Sequence, residues 1–266
     1  GNSYVEVIKK AFSDNWIDVY PKKNKRDGGY CTCAYLAHPY VVINYEGKLD
    51  DVSTLIHELG HAMHYYYAQN FNTYEDYNYS IFVAEVASQV NEIILTNYML
   101  NHTDNIEEKK YILDSILQRF KATMIRQTMF AHFEDILHNK EMNGTVLTKE
   151  LVQKEYLDLN KLYFGPNVEV DEDIKYECYR IPHFYYNFYV YQYATGYAAA
   201  LKIANDIINK KDGALENYIK FLKLGSTLDP VKSLKVAGVD IQSPSLYDEV
   251  FEFFDEKRKE LESLYE

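Results

Sequence analysis

After Gly47 the apolar positions of this 266-residue chain recur at helical spacing, and they largely keep that spacing to the end. The periodicity predicts helices near residues 51–69, 80–101, 107–140, 148–162, 183–209, 213–223 and 244–264. Asp51 is placed to cap the first of them. Residues 21–30, Pro-Lys-Lys-Asn-Lys-Arg-Asp-Gly-Gly-Tyr, read as a basic, glycine-containing loop. Tyr30 to Leu36 and Tyr40 to Tyr45, the latter centred on Val41-Val42-Ile43, read as short strands separated by His38-Pro39. The expected fold is mainly α, with a small β-sheet near the N-terminus. No Pro- or Gly-rich linker divides the chain, so residues 1–266 read as one domain with a substantial core.

Two of the predicted helices carry more than a core-facing stripe. At about 100° per residue, Leu55, Leu59, Ala62 and Tyr66 share one side of the first helix, and His57, His61 and His64 share the opposite side. An ordinary amphipathic helix shows water a mixed charged face, whereas here that face is a row of histidines. His57-Glu58-Leu59-Gly60-His61 also places its imidazoles one turn apart, where both can address a single cation. Glu58 falls between the stripes, able to take a proton from an activated water without ligating the metal. A chance match on a surface helix is the plain alternative, and the apolar run before the motif weighs against it.

Catalytic zinc keeps three protein ligands and one open position. His64 is a tempting third, but it lies about 10 Å of helical rise from His57, so it reads as a supporting or cleft residue. The segment Ile81-Phe-Val-Ala-Glu-Val-Ala-Ser-Gln-Val-Asn-Glu92 offers a better one. Glu85, Gln89 and Glu92 lie on one stripe, opposite Val83, Ala87, Val90 and Ile94. Ile81 and Phe82 flank the acidic stripe and imply partial burial, where a carboxylate needs a cation. Glu85 is therefore the expected third ligand. Glu92 is the expected acceptor for an imidazole N–H.

Charge and composition narrow the partners. Lys and Arg total 28 against 40 Asp and Glu, a formal net charge of −12, which argues against a nucleic-acid or anionic-membrane partner, since either needs a basic face. No apolar run is long enough to span a bilayer, and Gly1 to Lys10 lacks the layout of a signal peptide. Cys31, Cys33 and Cys178 make a poor disulfide framework, so a reducing cytoplasm is expected. The chain holds 27 tyrosines, many of them near 64–80 and 176–197, suited to half-buried packing or to lining a peptide cleft.

These blocks together carry a specific resemblance. Trp16-Ile-Asp-Val-Tyr, Gly28-Gly-Tyr, His38-Pro-Tyr, Leu49-Asp-Asp-Val, His57-Glu-Leu-Gly-His-Ala-Met-His, Phe82-Val-Ala-Glu-Val-Ala-Ser, Arg126-Gln-Thr-Met-Phe and Arg180-Ile-Pro-His-Phe-Tyr-Tyr-Asn-Phe-Tyr-Val-Tyr-Gln-Tyr-Ala-Thr-Gly run in order along nearly the whole chain. In them the sequence resembles the M3 family of zinc oligopeptidases, within it the oligoendopeptidase F branch. The resemblance implies a zincin-type helical catalytic domain holding one zinc ion through His57, His61 and Glu85, with Glu58 as catalytic glutamate and short peptides as substrates. It implies that the family's C-terminal histidine and tyrosines fall within 180–197, with His183 and Tyr191 the choices for oxyanion donors and Tyr186 and Tyr189 for substrate binding. A helix started at Pro182 would set His183 and Tyr191 about two turns apart. The 40–45 strand is expected to pair with an extended substrate backbone.

Family members are substantially longer and have an N-terminal helical region that helps enclose the cleft. The resemblance thus implies a C-terminal catalytic portion whose cleft is completed by such a region or by a second chain. Two rivals remain at this stage. A zinc exopeptidase needs a site for a peptide terminus, to which no residue points. A zinc-stabilised binding or scaffold module has no use for Glu58 beside its metal.

Overall fold

The computed structural model describes residues 1–266 and is mainly helical, with a small three-stranded sheet. It divides into two compact units, residues 1–117 with 196–266, and residues 118–195. No helix is long and apolar enough to cross a membrane.

The first unit opens with helix α1 (Asn2–Ser13), followed by strands β1 (Ile17–Asp18), β2 (Tyr30–Thr32) and β3 (Tyr40–Val42). The sheet order is β1-β3-β2, with β3 parallel to β1 (Ile17 opposite Val41) and antiparallel to β2 (Thr32 opposite Tyr40). Helices α2 (Leu49–Phe71) and α3 (Ile81–His102) follow, then α4 (Ile106–Phe120), which reaches the end of the unit's first segment. Leu59 is buried with Ala11 and Trp16, and Ala62 with Val41 and Ile43, so the apolar stripe of α2 faces α1 and the sheet.

Helix α2 begins two residues earlier than its pattern suggests, because Asp51 caps from inside the first turn. Its carboxylate reaches back to accept from the Glu46 and Lys48 amides at 2.8 and 2.9 Å, satisfying donors that a helix start leaves open. Ser80 caps α3 by accepting from the Phe82 amide at 3.3 Å.

In the second unit a π-helical turn, Lys121–Ile125, separates α4 from α5 (Arg126–Met142), where the pattern predicts one unbroken helix over 107–140. Helix α6 (Lys149–Phe164) follows, then 3-10 turns at Glu172–Arg180 and Pro182–Tyr185. Phe130, Phe133, Tyr156, Cys178, Ile181 and Val190 are buried together at its centre. The predicted helix over 183–209 is corrected here. Helix α7 (Tyr191–Ile208) starts only at Tyr191, because Asn187 and Phe188 adopt positive φ of 34° and 53°, a left-handed conformation that no right-handed helix can include. The first unit resumes within α7 at Gly196 and continues through α8 (Ala214–Leu222), α9 (Pro230–Val236) and α10 (Pro244–Ser263).

Candidate metal centre

The site begins with how closely α2 and α3 can approach. A Cβ on Gly60 would lie 2.4 Å from the Ser88 Cα and 2.6 Å from the Ala87 carbonyl oxygen. Glycine within a helix costs about 1 kcal/mol relative to alanine, so its place here needs a packing reason, and this backbone-to-backbone crossing supplies one. The crossing sets the α2 histidines beside the acidic residues of α3. Sequence reading overlooked Gly60, although an isolated helical glycine inside a histidine motif is a usable signal.

His57 Nε2 and His61 Nε2 lie 3.2 Å apart, and Glu85 Oε2 lies 3.2 Å from the first and 3.6 Å from the second. His57, His61 and Glu85 together form a group that could hold a metal ion. Three acceptor atoms this close repel one another unless a proton or cation lies among them. Metal–ligand bonds of about 2.0–2.1 Å in tetrahedral directions put neighbouring donors about 3.3 Å apart, so this triangle has the size of one tetrahedral face.

The surroundings aim each donor. His57 Nδ1–H donates to Glu92 Oε1 at 2.6 Å, which leaves the Nε2 lone pair free to bind. His61 is tied to the Ala84 backbone, and burial pushes its pKa down to about 4, favouring the neutral, ligating form. Burial pushes Glu85 upward, but the adjoining His57 and His61 outweigh it and hold the carboxyl below its ordinary range. Ser88 Oγ lies within donating distance of Glu85 Oε2, at 3.2 Å, and of the Glu85 carbonyl oxygen, at 2.9 Å.

Glu58 is buried, and its Oε2 has no hydrogen-bond partner within the protein. Burial pushes its pKa up, the neighbouring His57 pulls it back, and Glu85 adds to the rise. A carboxylate left without a donor and made more basic by burial is suited to accept a proton. Gly29 closes against this side chain, since a Cβ there would stand 2.8 Å from Thr54 Cγ2 and 3.2 Å from Glu58 Oε1. Strand β2 follows directly, and its Cys31 thiol is pushed upward by burial and by the charge of Glu58.

Two expectations change at this point. His64 is not a cleft residue and makes no hydrogen bond to the donor cluster. It is 1% exposed, stacked on Tyr79 at 3.6 Å between ring centres and 3° between planes, and its Nδ1 has no partner. Burial pushes its pKa down to about 3, so it packs as a neutral aromatic ring. Strand β3 cannot take a substrate strand, because β1 and β2 occupy both of its edges. The sheet edge near Glu58 belongs to β2.

The remaining predicted residues lie in the second unit. His183 sits in the Pro182–Tyr185 turn, Tyr186 and Tyr189 flank the left-handed pair Asn187-Phe188 after it, and Tyr191 is at the first position of α7. His183 packs on Tyr189 at 5.7 Å between ring centres, and Tyr189 on Tyr186 at 6.1 Å. Tyr193, which sequence reading passed over, reaches His183 Nε2 with its hydroxyl at 3.4 Å. The pair is ten residues apart across an irregular turn, so no helical spacing signals it.

Comparison with known proteins adds to this geometry. The profile of peptidase family M3 matches residues 1–253. The oligopeptidase PepF of Bacillus subtilis is 45% identical over 264 residues, covering 99% of this chain and 39% of the relative. The Borreliella burgdorferi oligoendopeptidase F homolog is 40% identical, covering 100% of this chain and 45% of its own length. The crystal structure of oligoendopeptidase-F from Enterococcus faecium superposes with a TM-score of 0.74 at 42% identity, over 82% of this chain and 39% of that one. A solved Chlamydophila abortus structure does so at 0.92 and 41%, over 99% of this chain and 44% of that chain. This chain thus spans less than half the length of the relatives it matches.

Proposed function

The chain belongs to peptidase family M3, and from that membership we propose that it carries the reaction centre of a zinc-dependent endopeptidase cutting internal bonds of short peptides. The observation carrying this reading is the donor triangle of His57, His61 and Glu85, with edges of 3.2, 3.2 and 3.6 Å. These residues would hold one zinc ion per chain. When bound, zinc polarises a carbonyl and lowers the pKa of water toward neutrality.

Every other role falls to the chain's own residues. Glu58 accepts the proton of the attacking water on its partnerless carboxylate and returns it to the leaving amine. Glu92 keeps the His57 proton on Nδ1, and Ser88 steadies Glu85. The free edge of β2, beside Gly29 and Glu58, hydrogen-bonds an extended peptide backbone, giving affinity with little sequence preference. His183 and Tyr191 are assigned as donors to the developing oxyanion, and Tyr186 and Tyr189 as contacts to the peptide. All three cysteines are free thiols, and a reducing cytoplasmic setting completes the reading.

Metal analysis together with a quenched fluorescent peptide assay tests this. The chain should bind one zinc and cleave an internal bond, and chelation should abolish cleavage. Glu85→Ala should lose zinc and cleavage together. Cleavage that survives chelation, or full zinc content in Glu85→Ala, overturns the reading.

A further inference from the structure

The second unit contains a buried acid that the proposed chemistry does not use. Glu134 lies on α5, next in sequence to the buried Phe133, and is itself only 4% exposed. One carboxylate oxygen, Oε1, accepts from the Phe188 amide at 3.0 Å, while Oε2 is buried without a partner. Phe188 and Asn187 are the two successive left-handed residues that end the Pro182–Tyr185 turn before α7. Neither is glycine, and a bulky residue such as Phe holds positive φ only where its surroundings over-determine it.

The surroundings here are few and identifiable. Ile181 and Val190 bracket the segment in the unit's core. Phe184 packs on Phe130 and Phe133 at 5.1 and 5.3 Å between ring centres, and Phe188 packs on His138 at 4.5 Å. All of these are side-chain contacts, compatible with several backbone paths. Local backbone bonds close the turns on either side, Tyr186 N–H to the His183 carbonyl at 3.0 Å and Gln192 N–H to the Tyr189 carbonyl at 3.4 Å, and between them it is Glu134 that holds the Phe188 amide.

We propose that Glu134 is a positioning residue, whose buried carboxylate locks Asn187-Phe188 into the left-handed turn and so sets where His183, Tyr186 and Tyr189 present their polar groups. This rests on the reading that the 183–191 segment contacts the peptide. An acceptor at this place keeps the segment from continuing as the regular helix that its sequence pattern favours, and the tyrosines on it would otherwise point elsewhere around the axis.

Hydrogen exchange at the Phe188 amide, read beside zinc content and peptide turnover, tests the proposal. In Glu134→Ala this amide should exchange at least about tenfold faster, as expected when a bond to a charged acceptor is lost. Zinc content and exchange in α2 and α3 should stay unchanged, and kcat should fall more than KM rises. Glu134→Gln keeps an acceptor oxygen and should hold both protection and turnover close to the parent's. If Glu134→Ala does not fold, Asn187→Val attacks the same turn from an exposed position, because a β-branched residue resists positive φ, and it should show the same faster exchange.

Unchanged Phe188 protection in the folded variants overturns the anchor. Faster exchange with undiminished turnover overturns the positioning role, as does a Gln variant that keeps protection but loses turnover. If the parent chain itself cleaves no peptide, the functional reading fails, and the exchange measurement still decides whether Glu134 holds the turn.

Discussion

The donor cluster on α2 and α3 and the tyrosine-bearing segment 181–191 both present polar side chains, but they are held in different ways. In the cluster every donor projects from a regular helix, and each is braced by a named partner: Glu92 for His57, the Ala84 backbone for His61, Ser88 for Glu85. In the segment the backbone itself is irregular, with left-handed residues at 187 and 188, and the side chains mostly pack on one another. Tyr185 and Tyr186 are 75% and 65% exposed, whereas Glu58 is 6% exposed. The cluster is built to hold geometry before any ligand arrives. The segment is held instead through its backbone and its apolar residues, by the Glu134 acceptor and by Ile181, Phe184 and Val190 in the core of the second unit, while Tyr185 and Tyr186 stay open to solvent.

The comparison can be broken most severely at Glu58. Glu58→Gln should lower peptide turnover by roughly 10²–10⁴-fold, the usual contribution of a general base, with zinc content unchanged in metal analysis. A variant with near-parental turnover would show the buried carboxylate to be structural.

Next in size comes the other region. Tyr191→Phe should cut kcat and kcat/KM together, by up to about 10²–10³-fold if the hydroxyl donates to the oxyanion. Melting temperature and zinc content should not move. A loss confined to KM, or one that tracks stability, would make Tyr191 a packing residue.

The bracing of the cluster gives a smaller effect. Glu92→Ala should weaken zinc affinity about 10–100-fold in competition with a chromophoric chelator, the usual cost of losing a partner to a metal-bound histidine. His64→Ala in the same assay should lower stability while leaving affinity near the parent's, since His64 stacks on Tyr79 and makes no bond to a donor. Equal losses from the two would put His64 back among the supports.

Gly60→Ala sharpens the comparison most finely. The added Cβ meets α3 backbone at 2.4 Å, and such overpacking should cost about 1–3 kcal/mol in denaturant unfolding. Zinc affinity should fall with it, because Glu85 moves with its helix. A neutral substitution would mean that the crossing is looser than the contact implies.

This division also governs what the sequence made legible. His57, His61 and Glu85 could be singled out because a spacing of four on a helix is a geometric statement, and the opposed stripes of α2 and α3 assigned the faces. The small sheet was visible near 30–45, but β1 was missed, since Ile17-Asp18 is too short to alternate. α1 and the seven-residue α9 also escaped, the latter being too short to show periodicity. The break before Tyr191 could not be read, because it depends on Glu134, more than fifty residues away, accepting one amide. His64 was misread for a related reason. Its stripe was right, but the stacking partner Tyr79 lies in the loop before α3, where spacing carries no information.

The Gly60 crossing has a further consequence for how the centre would gain and lose the ion proposed for it. Two helices in backbone contact cannot part without exposing the crossing of Gly60 on Ala87 and Ser88, all of which are buried. Exchange of the proposed ion would therefore proceed by rotation of side chains on a fixed frame, not by opening of the frame. A chelated chain should keep its circular dichroism spectrum and its cooperative melt, and take zinc back without refolding. Depletion would then act as a reversible brake on chemistry, and the folded scaffold would persist through episodes of metal scarcity.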